Sequence, residues 1–65
     1  MQPFQERVVE EKKQLDYKLQ ALHAFMVGDQ LLELPVEERD RLVRQEGIME
    51  QYSTVLGERI AAFSS

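Results

Sequence analysis

The sequence contains no cysteine, so no disulfide staples the fold and no thiolate is present as nucleophile or metal ligand. It has one histidine, His23, and therefore no His pair at ligand spacing, which argues against a structural zinc site. Tryptophan is absent, and two tyrosines and three phenylalanines make up the aromatic complement, too few for a large core. The three glycines, Gly28, Gly47 and Gly57, are dispersed, so there is no glycine-rich phosphate loop. No apolar run approaches the ~18–20 residues of a membrane span. Met1-Gln2-Pro3 has no signal-peptide pattern, and a cytoplasmic location is the expectation. Basic residues number 8 against 12 acidic ones, and the net charge of −4 supplies no global positive field for long nucleic acid or an anionic membrane. No cofactor, no metal and no enzymatic activity are expected from this inventory.

What is present is helical periodicity in a chain of 65 residues, one domain at most. Chains below ~70–80 residues usually need disulfides, a metal or oligomerisation to be stable. With the first two set aside, assembly with copies of itself is expected. Val8, Leu15, Leu19, Leu22 and Met26 fall on alternating steps of three and four once Lys12 fills the gap, a heptad seam. Pro3 suits a first helical turn, Glu6 complements the helix dipole, and Gly28-Asp29 is a plausible stop. The first helix is placed at residues 3–27, about 38 Å at 1.5 Å per residue. Leu42, Gln45, Met49, Tyr52, Leu56, Arg59 and Phe63 repeat the pattern, widened by Ile48, Val55, Ile60 and Ala62. Pro35 followed by Val36-Glu37-Glu38 reads as a helix start, which puts the second helix at 35–63. Residues 28–34 form the connection; Leu31, Leu32 and Leu34 are too apolar for a free loop and suggest a helical turn folded over the hairpin end. So short a link makes the helices antiparallel neighbours. The expected fold is all-α: an antiparallel two-helix hairpin assembling into a homo-oligomeric helical bundle.

Pairing the helices about that link sets Lys18 and Leu19 opposite Gln45, Leu15 opposite Met49, Lys12 opposite Tyr52, and Phe4 opposite Arg59. The seam then holds a ladder of Lys12, Lys18, Gln45, Tyr52 and Arg59, with Glu6 or Glu10 in reach of Arg59. Such a ladder is either a network that fixes register or a ligand pocket formed where subunits meet. Phosphate calls for cationic donors and a base for a flat ring and amide edge, which Lys18, Arg59, Tyr52 and Gln45 supply, with Arg41 and Arg44 as auxiliary phosphate contacts. The alternative for Arg41 and Arg44 is ordinary pairing, Glu37 with Arg41 and Asp40 with Arg44. A further seam, Val43, Gly47, Glu50, Thr54, Gly57 and Ala61, is expected to face away from the first helix and, being mostly small, to receive a helix of another copy; otherwise it is a solvent strip. Each Gly there costs about 1 kcal/mol against Ala. His23 reads as a packing or surface residue.

The segments Arg7-Val8-Val9-Glu10-Glu11-Lys12, Leu15-Asp16-Tyr17-Lys18-Leu19 and Leu34-Pro35, with Arg41-Leu42, Gln45, Met49, Tyr52-Ser53 and Leu56-Gly57-Glu58-Arg59-Ile60, resemble a family of short phage and prophage proteins. That family is named after a reading frame of a crAss-like gut phage. Lys18, Gln45, Tyr52 and Arg59 are the informative matches, because packing alone would not select them. Leu34-Pro35 departs from the Ser- or Thr-type cap of many relatives. The resemblance implies a phage accessory protein of the counter-defence type with no family-wide catalysis. Three roles stand at this point: an oligomer sequestering a small phosphorylated nucleotide signal, an acidic inhibitor of a host defence protein that could mimic nucleic acid, or a passive oligomerisation module.

Overall fold

The computed structural model describes residues 1–64. Helix α1 spans Pro3–Met26, a five-residue 3-10 helix spans Asp29–Glu33, and helix α2 spans Val36–Ala62. The two long helices lie side by side and antiparallel in a rod measuring 46 × 15 × 14 Å, so the chain is an all-α hairpin.

Local chemistry sets the boundaries. Pro3 occupies the first turn of α1, where its missing N–H costs nothing, and the Gln5 side chain accepts a hydrogen bond from the Gln2 N–H at 2.9 Å. The helix closes with Val27 donating to the His23 carbonyl. Gly28 is not the left-handed stop that its type suggests. Its φ of −93° and ψ of 170° are extended, and it caps the 3-10 helix. Pro35, with ψ of 151°, turns the chain into α2, whose first turn carries Glu37 and Glu38 on the positive end of the dipole. Arg39 ties the connection down: its Nε donates to the Leu34 carbonyl at 2.9 Å and its guanidinium also reaches the Leu32 carbonyl at 3.4 Å. Carbonyls at the end of a short helix have no intrahelical partner, and an arginine one turn onward satisfies them.

The register differs from the expected pairing by five residues, about one and a half helical turns. Asp16 meets Ser53, and His23 meets Glu46. The two contacts are seven residues apart on each helix, so the register is constant along the hairpin. Extended, it brings Met26 level with Val43, and α2 begins beyond the end of α1. The 3-10 helix, with Leu31 half-buried, and the half-buried Leu34 that follows it span that offset. At the open end Phe4 packs edge-on against Phe63, with ring centroids 6.0 Å apart, rather than against Arg59.

The core seam of α2 is also rotated from the expected one. Leu42, Glu46, Met49, Ser53, Leu56, Ile60 and Phe63 face α1, while Gln45, Tyr52 and Arg59 are exposed. Among the described residues only Val8 and Leu56 are fully buried, at 6% and 0% exposure. Leu15, Leu19, Leu22 and Met26 are half-buried on the α1 side. No helix among the described residues is long and apolar enough to cross a membrane.

Candidate ligand-binding flank

Three parallel tracks run along α2, and their order follows from a turn of about 100° per residue. The central track is the core seam. One residue after each core position lies the track of Val43, Gly47, Glu50, Thr54, Gly57 and Ala61. One residue before each lies the track of Arg41, Gln45, Ile48, Tyr52, Val55 and Arg59. The two outer tracks occupy opposite flanks of the hairpin.

The flank after the core is pinned by polar contacts between helices. Lys12 Nζ donates to Asp16 at 2.7 Å and to Ser53 Oγ at 2.9 Å, while Ser53 Oγ donates to the second carboxylate oxygen of Asp16. These bonds close a triangle in which every polar group has a partner, and among the described residues no buried side-chain polar atom lacks one. The Lys12 ammonium and the Ser53 hydroxyl hold the Asp16 carboxyl below the usual carboxylate range. A carboxylate with a depressed folded-state pKa stabilises the fold above its unfolded value near 3.8, and that contribution is lost as pH falls through the folded value. Asp16→Asn is accordingly expected to flatten the acid side of a thermal-stability profile below about pH 4. An unchanged acid limb in that variant would show that the triangle contributes nothing there.

Gly57 belongs to this pinned region. It is half-buried, and a Cβ built on it would lie 3.4 Å from Lys12 Cε, so it faces α1 across the hairpin rather than away from it. Gly47 has nothing within 4 Å, and Val43, Thr54 and Ala61 are exposed. The expected back seam is thus a flank whose Gly57 accommodates the Lys12 stem within the hairpin. The Thr54 hydroxyl bonds the Glu50 carbonyl. His23 is an exposed ring with Nδ1 3.2 Å from Glu46. Spacing alone placed Lys12 in the α1 seam, whereas Ser53 was legible as its inward-facing partner only once the register was known.

The opposite flank collects most of the residues nominated for ligand contact. Arg41, Gln45, Tyr52 and Arg59 share it with Ile48 and Val55. Lys18 precedes the α1 core residue Leu19 as these residues precede theirs, and in antiparallel helices the two positions fall on the same side. It also lies between the levels of the Asp16–Ser53 and His23–Glu46 contacts, beside the middle of the track. Ile48 is 61% exposed, Val55 50% and Tyr52 42%, which leaves much of their apolar surface open to solvent. Gln45 donates weakly to the Met49 sulfur at 3.8 Å.

Several expected pairings differ. Arg41 pairs with Glu38 at 2.8 Å, one position nearer than Glu37, and neither Asp40–Arg44 nor a bridge from Arg59 to Glu6 or Glu10 forms. Arg44 points away from the hairpin, some 60° beyond the track's centre line by periodicity, and does not join the others. A surface depression of about 340 Å³ lies elsewhere, on α1, lined by Glu10, Lys13, Gln14, Tyr17 and Lys18. It lies on a single helix and is open to solvent, and Lys18 is its only member shared with the flank. Among the described residues no group of His, Cys, Asp and Glu is placed to hold a metal.

Hairpin and flank together define a small all-α protein with an exposed stripe of arginine, aromatic and aliphatic side chains. The chain belongs to the Sequestin family, which it matches over residues 2–62. The family name is that of a sequestering protein, consistent with a binding role. No curated protein and no solved structure matches the chain.

Proposed function

We propose that the protein is a non-catalytic phage accessory protein of the counter-defence type that sequesters a small phosphorylated nucleotide signal at sites between its own copies in the host cytoplasm. The observation that carries this reading is the alignment of Lys18, Arg41, Gln45, Tyr52 and Arg59 along one exposed flank. Phosphate oxygens take guanidinium and ammonium donors, the Tyr52 ring offers a stacking surface, and the Gln45 amide can read a base edge. The membership in a family named for sequestering supports the same role. A two-helix rod of this width cannot enclose such a ligand, whereas a junction between copies builds a concave site from the same few residues.

Calorimetry with cyclic dinucleotides and cyclic ADP-ribose isomers tests the proposal. One of them is expected to bind the unmodified protein and to bind Tyr52→Ala at least tenfold more weakly. Ligand at 100 times its dissociation constant should add roughly 2.7 kcal/mol of stability. If no nucleotide binds while a host protein co-purifies with the chain, the acidic surface is the working part and the protein is an inhibitor.

A further inference from the structure

The constant register allows the two helices to be matched rung by rung along the Tyr52 flank. On α1 that flank runs through Glu11, Lys18 and Phe25, each one position before a seam residue and seven residues from the next. Asp16 is level with Ser53 and His23 with Glu46. Glu11 therefore comes to the level of Arg59, Lys18 to that of Tyr52 and Phe25 to that of Gln45, each within one residue. Three rungs cross the flank, about 10 Å apart along the rod. Between them are two gaps. The first, between the Glu11 and Lys18 rungs, has Gln14 and Val55 as its outer shoulders. The second, between the Lys18 and Phe25 rungs, has Ala21 and Ile48.

The gaps differ in charge and in room. The first ends on the Glu11 carboxylate, which repels an anion and offsets Arg59. The second has no carboxylate on its walls. Glu46, at its level, is turned to the opposite flank, where His23 Nδ1 lies 3.2 Å from it. Among the described residues no carboxylate pairs with Lys18, so its charge is open to a ligand. Ala21 is exposed and carries only a methyl group where the first gap has the longer Gln14, which leaves the α1 shoulder low. Ile48, 61% exposed, supplies an apolar wall on the other side. The half-buried Leu22 and Met49, next in sequence to those shoulders, lie beneath.

We infer that the second gap is each copy's share of the nucleotide site, with Phe25 as a further contact residue and Ala21 as the residue that sets its width. The inference rests on the sequestering reading and fixes where along the flank the ligand sits. A base is a flat plate with a polar edge. Tyr52 at one end of the gap and the half-buried Phe25 at the other offer rings on which it stacks, and Gln45 stands beside Phe25 to meet the edge. The Lys18 ammonium, on the Tyr52 rung, takes the phosphate.

Calorimetry with cyclic ADP-ribose and cyclic di-AMP tests the placement. Ala21→Trp fills the second gap from an exposed helix position and is expected to weaken the nucleotide that binds tenfold or more. Gln14→Trp, at the equivalent shoulder one heptad earlier, should change that affinity less than twofold. Phe25→Leu keeps an apolar side chain but removes the ring, and a loss of at least fivefold is expected; Phe25→Tyr restores the ring and should bind within twofold of the parent. Melting temperatures near the parent's show that each variant is folded. Unchanged affinity in Ala21→Trp, or an equal loss in Gln14→Trp, overturns the placement while the sequestering reading stands. Equal affinity of Phe25→Leu and Phe25→Tyr removes Phe25 from the site. If neither nucleotide binds the unmodified protein, the sequestering reading falls and the gap with it.

Discussion

Replacing Leu56 with alanine should cost more stability than any other single truncation, on the order of 2–5 kcal/mol. Leu56 is the one side chain with no exposed surface, and it stands where α2 crosses the α1 seam. Native domains hold only ~0.05–0.15 kcal/mol per residue in reserve, so this loss is comparable to the whole stability of a chain this size. Far-ultraviolet circular dichroism is expected to show Leu56→Ala largely unfolded at 25 °C or melting at least 15 °C below the parent. Val43→Ala, at a site 57% exposed, should melt within a few degrees of the parent. If the two variants melt together, Leu56 is not the centre of the core.

The second large effect is expected at Gly57. Leucine there would bring a branched side chain into the space that the Lys12 stem occupies, since even the Cβ comes within 3.4 Å of Lys12 Cε. To make room, Lys12 must leave Asp16 and Ser53, and overpacking of this kind costs ~1–3 kcal/mol. The same substitution at Gly47 meets nothing within 4 Å and should stabilise the helix by up to about 1 kcal/mol through its better propensity. Opposite shifts of the two melting temperatures are therefore expected. A loss at both sites would mean that Gly47 too lies against a close neighbour.

The fold was legible because its signals were local and redundant. Pro3 and Pro35 marked helix starts, and the spacing of Val8, Leu15, Leu19 and Met26 left no other period. The leucines between residues 28 and 34 pointed to an ordered turn. The exact register was not legible, because it depends on how far the 3-10 helix carries the chain past Met26, and no pairing rule in the sequence fixes that offset. The core seam of α2 went astray for a related reason. At three successive turns the choice lay between neighbours: Gln45 or Glu46, Tyr52 or Ser53, Arg59 or Ile60. Tyr52 is far more apolar than Ser53 and drew the seam to itself, while the Lys12–Asp16–Ser53 triangle that makes Ser53 the inward residue is a contact between distant segments. The nominated ligand residues still came together, because residues misassigned by one position at a constant heptad spacing remain on a common flank. Arg44 was outside that spacing and fell away.

The seven-residue interval between the Asp16–Ser53 and His23–Glu46 contacts carries a consequence for shape. An α-helix completes a turn in about 3.6 residues, so a contact line that recurs every seven drifts by about 20° per heptad on a straight helix. The helices keep it in register only by winding around each other in a left-handed sense. The flank that holds Tyr52 must therefore spiral along the rod, presenting its residues in slowly turning directions over the 27 residues of α2. A flat or rigid surface could meet one end of that spiral at a time. A helix lying along the whole flank from Arg41 to Arg59 would follow the same left-handed winding.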